Sequence, residues 1–302
     1  MIKSINFEII DICNLRCNIC DIWKNTQKNI ISVLDFERIL DSKHINIDTN
    51  ITLTWWEPLL HPEIKKIFQL FHNKWLTIHT LSTNWTMSEK LEKLLKYCIY
   101  KNIEIPWIHI SIDWLEKKHD LQRWVVWSFI KSINTIIILK KTFENINIKI
   151  KYTITKDNID ELSKAYLLSK KLWVNIDFKI VENDNFYTNQ ISKPILLDKI
   201  DKIKVIKILK TIYSNNTYFN NLIHYLECGK LWFKCNTTNN NLFIMANWDT
   251  YCCTKYNSIG NIKTENLDNI YYNKIHQDII STIDKINCNK CYSLHWSFKS
   301  II

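Results

Sequence analysis

Two glycines in 302 residues, against 13 tryptophans, set the tightest limit on what this chain can fold into. Average usage would supply about 7% glycine, or roughly 21 residues at this length. Tight turns, helix ends and close approaches of backbone to ligand need residues that tolerate positive φ, and glycine is the default there. Disorder, collagen-like repeats and glycine linkers are excluded at once. The tryptophans stand where glycines are expected. Trp85, Trp114 and Trp248 directly follow Asn84, Asp113 and Asn247 at strand ends or turns, where Asn-Gly and Asp-Gly pairs are usual. Trp75 and Trp173 close the helical patterns ending His72-Asn73-Lys74 and Lys170-Lys171-Leu172, where a left-handed residue normally ends a helix. A bulky aromatic is strained in such a place. The pattern implies that most of these positions are glycine in the living protein, as when a host reads UGA as glycine but the codon is translated as tryptophan. The competing explanation is genuine tryptophan.

The remaining composition is that of an ordinary globular chain, 46% hydrophobic and 23% charged, long enough for one large domain or two modest ones. No apolar run approaches the roughly 18 residues of a membrane helix. Glu8 and Asp11 interrupt the apolar N-terminus, which therefore does not read as a signal peptide. The expected location is the cytoplasm, where ten cysteines point to metal binding or catalysis rather than disulfides. The net charge of +10 allows an anionic partner. Only Arg16, Arg38 and Arg123 are arginine, however, and the lysines are spread along the chain, as in an A+T-rich coding sequence. Nucleic-acid binding is disfavoured.

Short apolar stretches at Phe7–Ile10, Ile51–Thr54, Leu76–Ser82, Ile108–Ile112, Ile148–Ile154 and Val174–Ile180 read as strands. Helical patterns lie near 35–42, 62–74, 88–98, 126–143 and 158–172. Ser88 reads as an N-cap ahead of Leu91, Leu94 and Leu95 on one face. Asn158 with Glu161 reads as a capping-box variant. Alternating β and α units predict an α/β fold with a parallel sheet. Six units fit a partial (β/α)6 TIM-like barrel better than a full eight-unit one. An Asn-rich stretch near 183–193 breaks the pattern, a further helix covers about 196–213, and a cysteine-rich tail begins at Cys228. The expected domains are 1–215, the barrel, and 216–302, a small Cys-rich domain.

Cys13, Cys17 and Cys20 form a Cys-x3-Cys-x2-Cys loop just after the first predicted strand. Three thiolates can hold three irons of a [4Fe–4S] cluster, which normally takes four, leaving one iron open. A zinc site would need a fourth ligand close by, and the first histidine is His44. The loop resembles that of the radical S-adenosylmethionine (SAM) superfamily. An aromatic often follows the last cysteine in that family. Trp23 fits, so the other twelve tryptophans are the glycine candidates. Thr54-Trp55-Trp56-Glu57-Pro58-Leu59 becomes the family's Thr-Gly-Gly-Glu-Pro-Leu when Trp55 and Trp56 are read as glycine. There the backbone and Glu57 would meet the amino group of SAM, and two real indoles would crowd the pocket. Ser82-Thr83-Asn84-Trp85 is similar to Ser-Thr-Asn-Gly, and Ser111-Ile112-Asp113-Trp114 to Ser-Ile-Asp-Gly. His119-Asp120, Arg123-Trp124 and Trp127-Ser128-Phe129 resemble a further stretch common in the family. By this resemblance Trp55, Trp56, Glu57, Ser82, Asn84, Ser111 and Asp113 contact SAM or substrate, with Thr153 and Thr155 on the fifth strand as further candidates.

In the tail, Cys235, Trp248 and Cys253 give Cys-x12-Gly-x4-Cys with position 248 read as glycine, and Cys288 and Cys291 add a Cys-x2-Cys pair. The four thiolates resemble those of the shortened auxiliary-cluster domain called twitch, related to the longer SPASM domain. A second [4Fe–4S] cluster is implied, with a zinc ribbon as the alternative. Cys252 competes with Cys253 as ligand, Cys228 is a spare or an alternative ligand, and Cys98 reads as core.

The family mechanism implies one-electron cleavage of SAM and a 5′-deoxyadenosyl radical that abstracts hydrogen from substrate. It also implies an electron donor such as flavodoxin or ferredoxin. The auxiliary domain favours a peptide or protein substrate, although Cys13 comes too early for a peptide-recognition module ahead of the first strand. Cofactor maturation, tRNA modification and a non-catalytic Fe–S or zinc protein are the alternatives.

Overall fold

The computed structural model describes residues 1–20, 22–24, 27–181, 195–212, 217–231, 235, 240–286 and 288. Strands β1 (Ser4–Phe7), β2 (Asn50–Leu53), β3 (Ile78–Thr83), β4 (Trp107–Ser111), β5 (Ile148–Ile154) and β6 (Asn175–Ile180) are parallel and lie side by side in chain order. A doubly wound sheet would reverse its strand order part-way. Unbroken order is the winding of a barrel, and the fold is the expected α/β partial barrel. The crossovers carry α1 (Val33–Leu40), α2 (Ile64–Asn73), α3 (Ser88–Tyr100), α4 (Glu116–Arg123), α5 (Ser128–Thr142) and α6 (Leu162–Lys171), and α7 (Lys199–Ile212) follows β6.

Burial alternates along the strands and separates two faces. On β5, Ile148, Ile150, Tyr152 and Ile154 are buried, while Lys149, Lys151 and Thr153 are partly open. The buried face packs on helices whose apolar stripes include Leu91, Leu94, Leu95 and Cys98 of α3 and Ile136 and Leu139 of α5. Near β1, the rings of Phe7, Phe36 and Phe71 meet edge-on with centroids 5.1–6.1 Å apart. The open face lines a polar trough.

The sheet does not end at β1. Its other edge pairs in parallel with β7 (Asn241–Ile244), followed by antiparallel β8 (Asp249–Tyr251) and β9 (Gly260–Asn261). The C-terminal segment thus continues the barrel sheet, and α8 (Thr217–Cys228), α9 (Leu267–Tyr272) and α10 (Lys274–Ile286) flank these strands in sequence. Among the described residues no helix is long and apolar enough to cross a membrane.

Several local expectations shift. The first strand ends at Phe7 rather than Ile10. Ser88 is the first residue of α3, not its cap, and makes no capping bond. Asn158 turns back rather than forward: its Oδ1 accepts the Thr155 amide at 2.9 Å, while Glu161 accepts the Leu115 amide. The Asn-rich stretch 183–193 lies outside the described residues.

Seven tryptophans, Trp55, Trp75, Trp85, Trp124, Trp127, Trp173 and Trp248, have φ between 54 and 68°. The left-handed conformation costs a residue with a Cβ about 1–2 kcal/mol. Seven such sites together approach the whole stability of a typical domain, about 5–15 kcal/mol. Trp75 and Trp173 stand just past α2 and α6, as their sequence positions predict. Trp114 differs, because the left-handed residue of that turn is Glu116.

Candidate functional site

The candidate functional residues collect at the C-terminal ends of the parallel strands, where each strand hands over to its crossover. In barrels this rim is where ligands bind. After β1 the chain passes Asp11, whose carboxylate ties down Asn29 through its amide at 2.6 Å and its side chain at 2.7 Å, and enters the loop of Cys13, Cys17 and Cys20.

That loop is stapled on two sides. On one side Asn84, just past β3, donates from Nδ2 to Asn14 Oδ1 at 2.8 Å and toward Cys13 Sγ at 3.6 Å, while Asn14 reaches Thr86 at 2.7 Å. On the other side the Asn18 amide donates to the Gln122 carbonyl of α4 at 2.9 Å, and Arg123 Nη1 points at Cys17 Sγ at 3.9 Å. Burial pushes the Cys13 thiol up to about 11 and raises Cys17 as well, although the Arg123 charge opposes the rise at Cys17. Bare thiols there stay protonated; thiolates in this setting need a cation bound to them.

Glu57 closes the turn after β2 and is fully buried. Its carboxylate accepts the amides of Leu59 at 3.1 Å and Asn84 at 2.7 Å and the Thr83 hydroxyl at 2.9 Å. Burial pushes its pKa up to about 7, against these hydrogen bonds. Glu57 therefore locks the β2 turn to the end of β3 and so places Asn84 against the cysteine loop.

Asp113, after β4, is a second hub. Its Oδ2 takes Arg123 Nη2 at 2.8 Å in a buried ion pair, and its Oδ1 takes the Thr153 amide of β5 at 2.9 Å. The same Arg123 Nη2 caps the Ser111 carbonyl at 3.0 Å. Ser82 and Ser111 remain partly open toward the trough, whereas Thr155 is buried. Asp120 organises the next turn. It accepts the amides of Trp127 and Phe129 and the Ser128 hydroxyl at 2.7–2.8 Å, which caps the start of α5.

Trp55 and Trp56 both lie at this mouth, on the β1–β7 side. The Trp55 ring packs 5.6 Å from that of Phe243, and Trp56 Nε1 donates to Glu8. Glu8 is buried between β1 and the β7–β8 turn and also accepts the Ala246 amide at 3.2 Å. Burial pushes its pKa up to about 8.

In the C-terminal segment Cys252 sits in the core, and burial pushes its thiol up to about 12. Cys253 is partly open; burial raises it to about 11, and the thiols of Cys235 and Cys288 add to the rise. Cys253 thus shares its surroundings with Cys235 and Cys288, while Cys291 lies outside the described residues. Cys228 is exposed at the end of α8. Among the described residues no three His, Cys, Asp or Glu side chains already converge on one ion. Cluster thiolates bind different irons, so they need not share one point.

Sequence reasoning missed the part played by Arg123, Asp120 and Glu8. For Arg123 a signal existed: a planar, forked donor kept in a chain that otherwise uses lysine.

The comparisons with known proteins fit this geometry. Residues 7–168 match the model of the radical SAM superfamily. No curated protein matches the chain by sequence. Among solved structures, the chain is similar to native anSMEcpe with bound AdoMet and Cp18Cys peptide at 19% identity and a TM-score of 0.69, covering 97% of this chain and 87% of that one. It is also similar to Streptococcus suis SuiB bound to S-adenosylmethionine, at 13% identity and a TM-score of 0.71, covering 93% and 68%. SuiB bound to precursor peptide SuiA gives 15% identity, a TM-score of 0.69 and coverage of 93% and 66%. At such identities the likeness speaks for the fold. The family match spans more than half of the chain and includes the cysteine loop and the turns that hold it, so the chain belongs to the radical SAM superfamily of enzymes.

Proposed function

We propose that Cys13, Cys17 and Cys20 hold a [4Fe–4S] cluster and that the enzyme uses SAM to modify a peptide or protein. The observation that carries the reading is the doubly stapled cysteine loop at the barrel rim, between Asn84 and Arg123. The residues fit the group: three partly buried thiols at the rim, two of which, Cys13 and Cys17, burial keeps protonated until a cation binds. When bound, the cluster and SAM supply reductive cleavage and a 5′-deoxyadenosyl radical that takes hydrogen from substrate. Around them the chain orients and shields. Glu57 and Asn84 fix the loop, Arg123 sets a positive charge beside Cys17, and Ser82 and Ser111 offer hydroxyls to ligands in the trough.

Three finer parts belong to the same proposal. Cys235, Cys253, Cys288 and Cys291 hold a second [4Fe–4S] cluster in a twitch-like unit within 216–302, supported by the shared surroundings of the first three. A flavodoxin or ferredoxin supplies electrons in the cytoplasm. The tryptophans other than Trp23 are glycine in the living protein, supported by the seven left-handed sites. Trp55 and Trp56 then vanish from the mouth and leave it open for SAM. Support for a peptide substrate comes from similar structures that hold the Cp18Cys and SuiA peptides.

Anaerobic reconstitution of the Trp55→Gly, Trp56→Gly chain tests the proposal. Roughly eight irons per chain are expected, together with 5′-deoxyadenosine after reduction. Alanine at Cys13, Cys17 or Cys20 should abolish SAM cleavage, and alanine at Cys253 should remove about half of the iron. Four irons or fewer, with SAM intact, would overturn it.

A further inference from the structure

The side chain of Arg123 does more than tie α4 to the end of β4. It is buried, in a chain that has only three arginines. Its guanidinium turns Nη2 toward Asp113 Oδ2 at 2.8 Å and the Ser111 carbonyl at 3.0 Å, and Nη1 toward Cys17 Sγ at 3.9 Å. Nε has no hydrogen-bond partner among the described residues. A buried N–H without an acceptor is uncommon. A planar fork can face a carboxylate in one direction and a sulfur in another, which the point charge of a lysine cannot do.

Both members of this ion pair act on Cys17, with opposite sign. Arg123 lies against the sulfur and Asp113 lies behind Arg123, so the positive charge acts there more strongly than the negative one. The two side chains are 4% and 6% exposed, and charges so little screened by water keep their reach. At Cys13 the order is reversed. There the charge of Glu57 outweighs the hydrogen bond from Asn84 Nδ2 at 3.6 Å. The positive influence on the cysteine loop is therefore concentrated at Cys17.

One-electron reduction makes an Fe–S cluster more negative. Net charge, hydrogen bonds to the sulfurs and solvent exposure set how readily it accepts that electron. A cation one contact away from a ligating sulfur favours the reduced form, and a carboxylate behind the cation limits the effect.

We propose that the Arg123–Asp113 pair sets the reduction potential of the cluster held by Cys13, Cys17 and Cys20, with Arg123 raising it through Cys17 and Asp113 limiting the rise. The inference rests on the cluster reading above and deepens it. Both are positioning residues, since they act through the Cys17 sulfur.

The test uses the full-length Trp55→Gly, Trp56→Gly chain, reconstituted anaerobically and without SAM. It is titrated with dithionite in the presence of redox mediators, and the reduced cluster is followed by electron paramagnetic resonance. The signal of the loop cluster is the one that Cys17→Ala removes. Asp113→Asn should raise the midpoint above that of the parent chain. Arg123→Met added to Asp113→Asn leaves no unpaired buried charge and should lower the midpoint below that of the parent. Between these two variants the ratio of reduced to oxidised cluster at one potential should differ about tenfold, or about 59 mV for one electron, as one charge-assisted contact provides. Arg123→Lys keeps the charge without the fork and should fall between the parent and the double variant. A merely structural pair would move the variants in one direction or not at all, and either result would overturn the proposal. If the double variant takes up no iron at the loop, Asp113→Asn and Arg123→Lys decide by the same signs, up and down. If the signal is present and its midpoint ignores both charges, only this inference fails; if no signal depends on Cys17, the cluster reading beneath it fails.

Discussion

At Arg123 a single guanidinium joins three structures: the carbonyl end of β4, the Asp113 hub and the cysteine loop. Removing it would leave Asp113 buried and unpaired, which costs about 3–5 kcal/mol. Arg123→Met should therefore destabilise the protein by that amount in chemical denaturation. A loss below about 1 kcal/mol, the scale of an exposed pair, would show that water reaches Asp113. The tryptophans give the opposite case. Trp75 and Trp173 are 83% and 85% exposed, so their side chains contribute little packing to set against a left-handed backbone. In a chain made with tryptophan, Trp75→Gly and Trp173→Gly should each stabilise by about 1 kcal/mol. Unchanged denaturation midpoints would mean that the backbone relaxes elsewhere.

At the scale of elements, strands β2 to β6 were legible because their apolar stretches are bounded by turns and followed by amphipathic helices. β1 shifted because all four of its residues are buried, so no alternation marks where it stops. β7, β8 and β9 are four, three and two residues long, too short for a period to show. Only pairing with β1 reveals that the cysteine-rich tail continues the sheet. Within the site, the cysteine loop and the Glu57 turn were legible as motifs. The work of Asp120 was not, because it reaches seven to nine residues ahead to cap α5. Asp120→Ala should cost about 1–2 kcal/mol in equilibrium unfolding, and Asp120→Asn should recover part of it. An unaffected alanine variant would show that α5 starts without this cap.

For the molecule as a whole, the mouth is held together by buried acids that prefer to stay protonated. Glu8, between β1 and the β7–β8 turn, has its pKa pushed by burial to about 8 from an ordinary 4.5. Between those values the folded chain keeps a proton that the unfolded chain releases. Its contribution is thus complete below about pH 4.5 and is lost as pH rises through about 8. Unfolding of the metal-free protein should lose up to about 1.4 kcal/mol per pH unit from this group, and Glu8→Gln should flatten that slope. Equal slopes in both proteins would assign the dependence to other groups. The same mouth holds the two indoles at 55 and 56, in the space that the proposed SAM site would need. The most direct measurement is therefore the yield of 5′-deoxyadenosine from the Trp55→Gly, Trp56→Gly chain, reconstituted and reduced anaerobically. At least one equivalent per chain is expected, and none once Cys17 is also replaced by alanine. A chain that takes up iron at the three-cysteine loop yet leaves SAM whole would contradict the assignment.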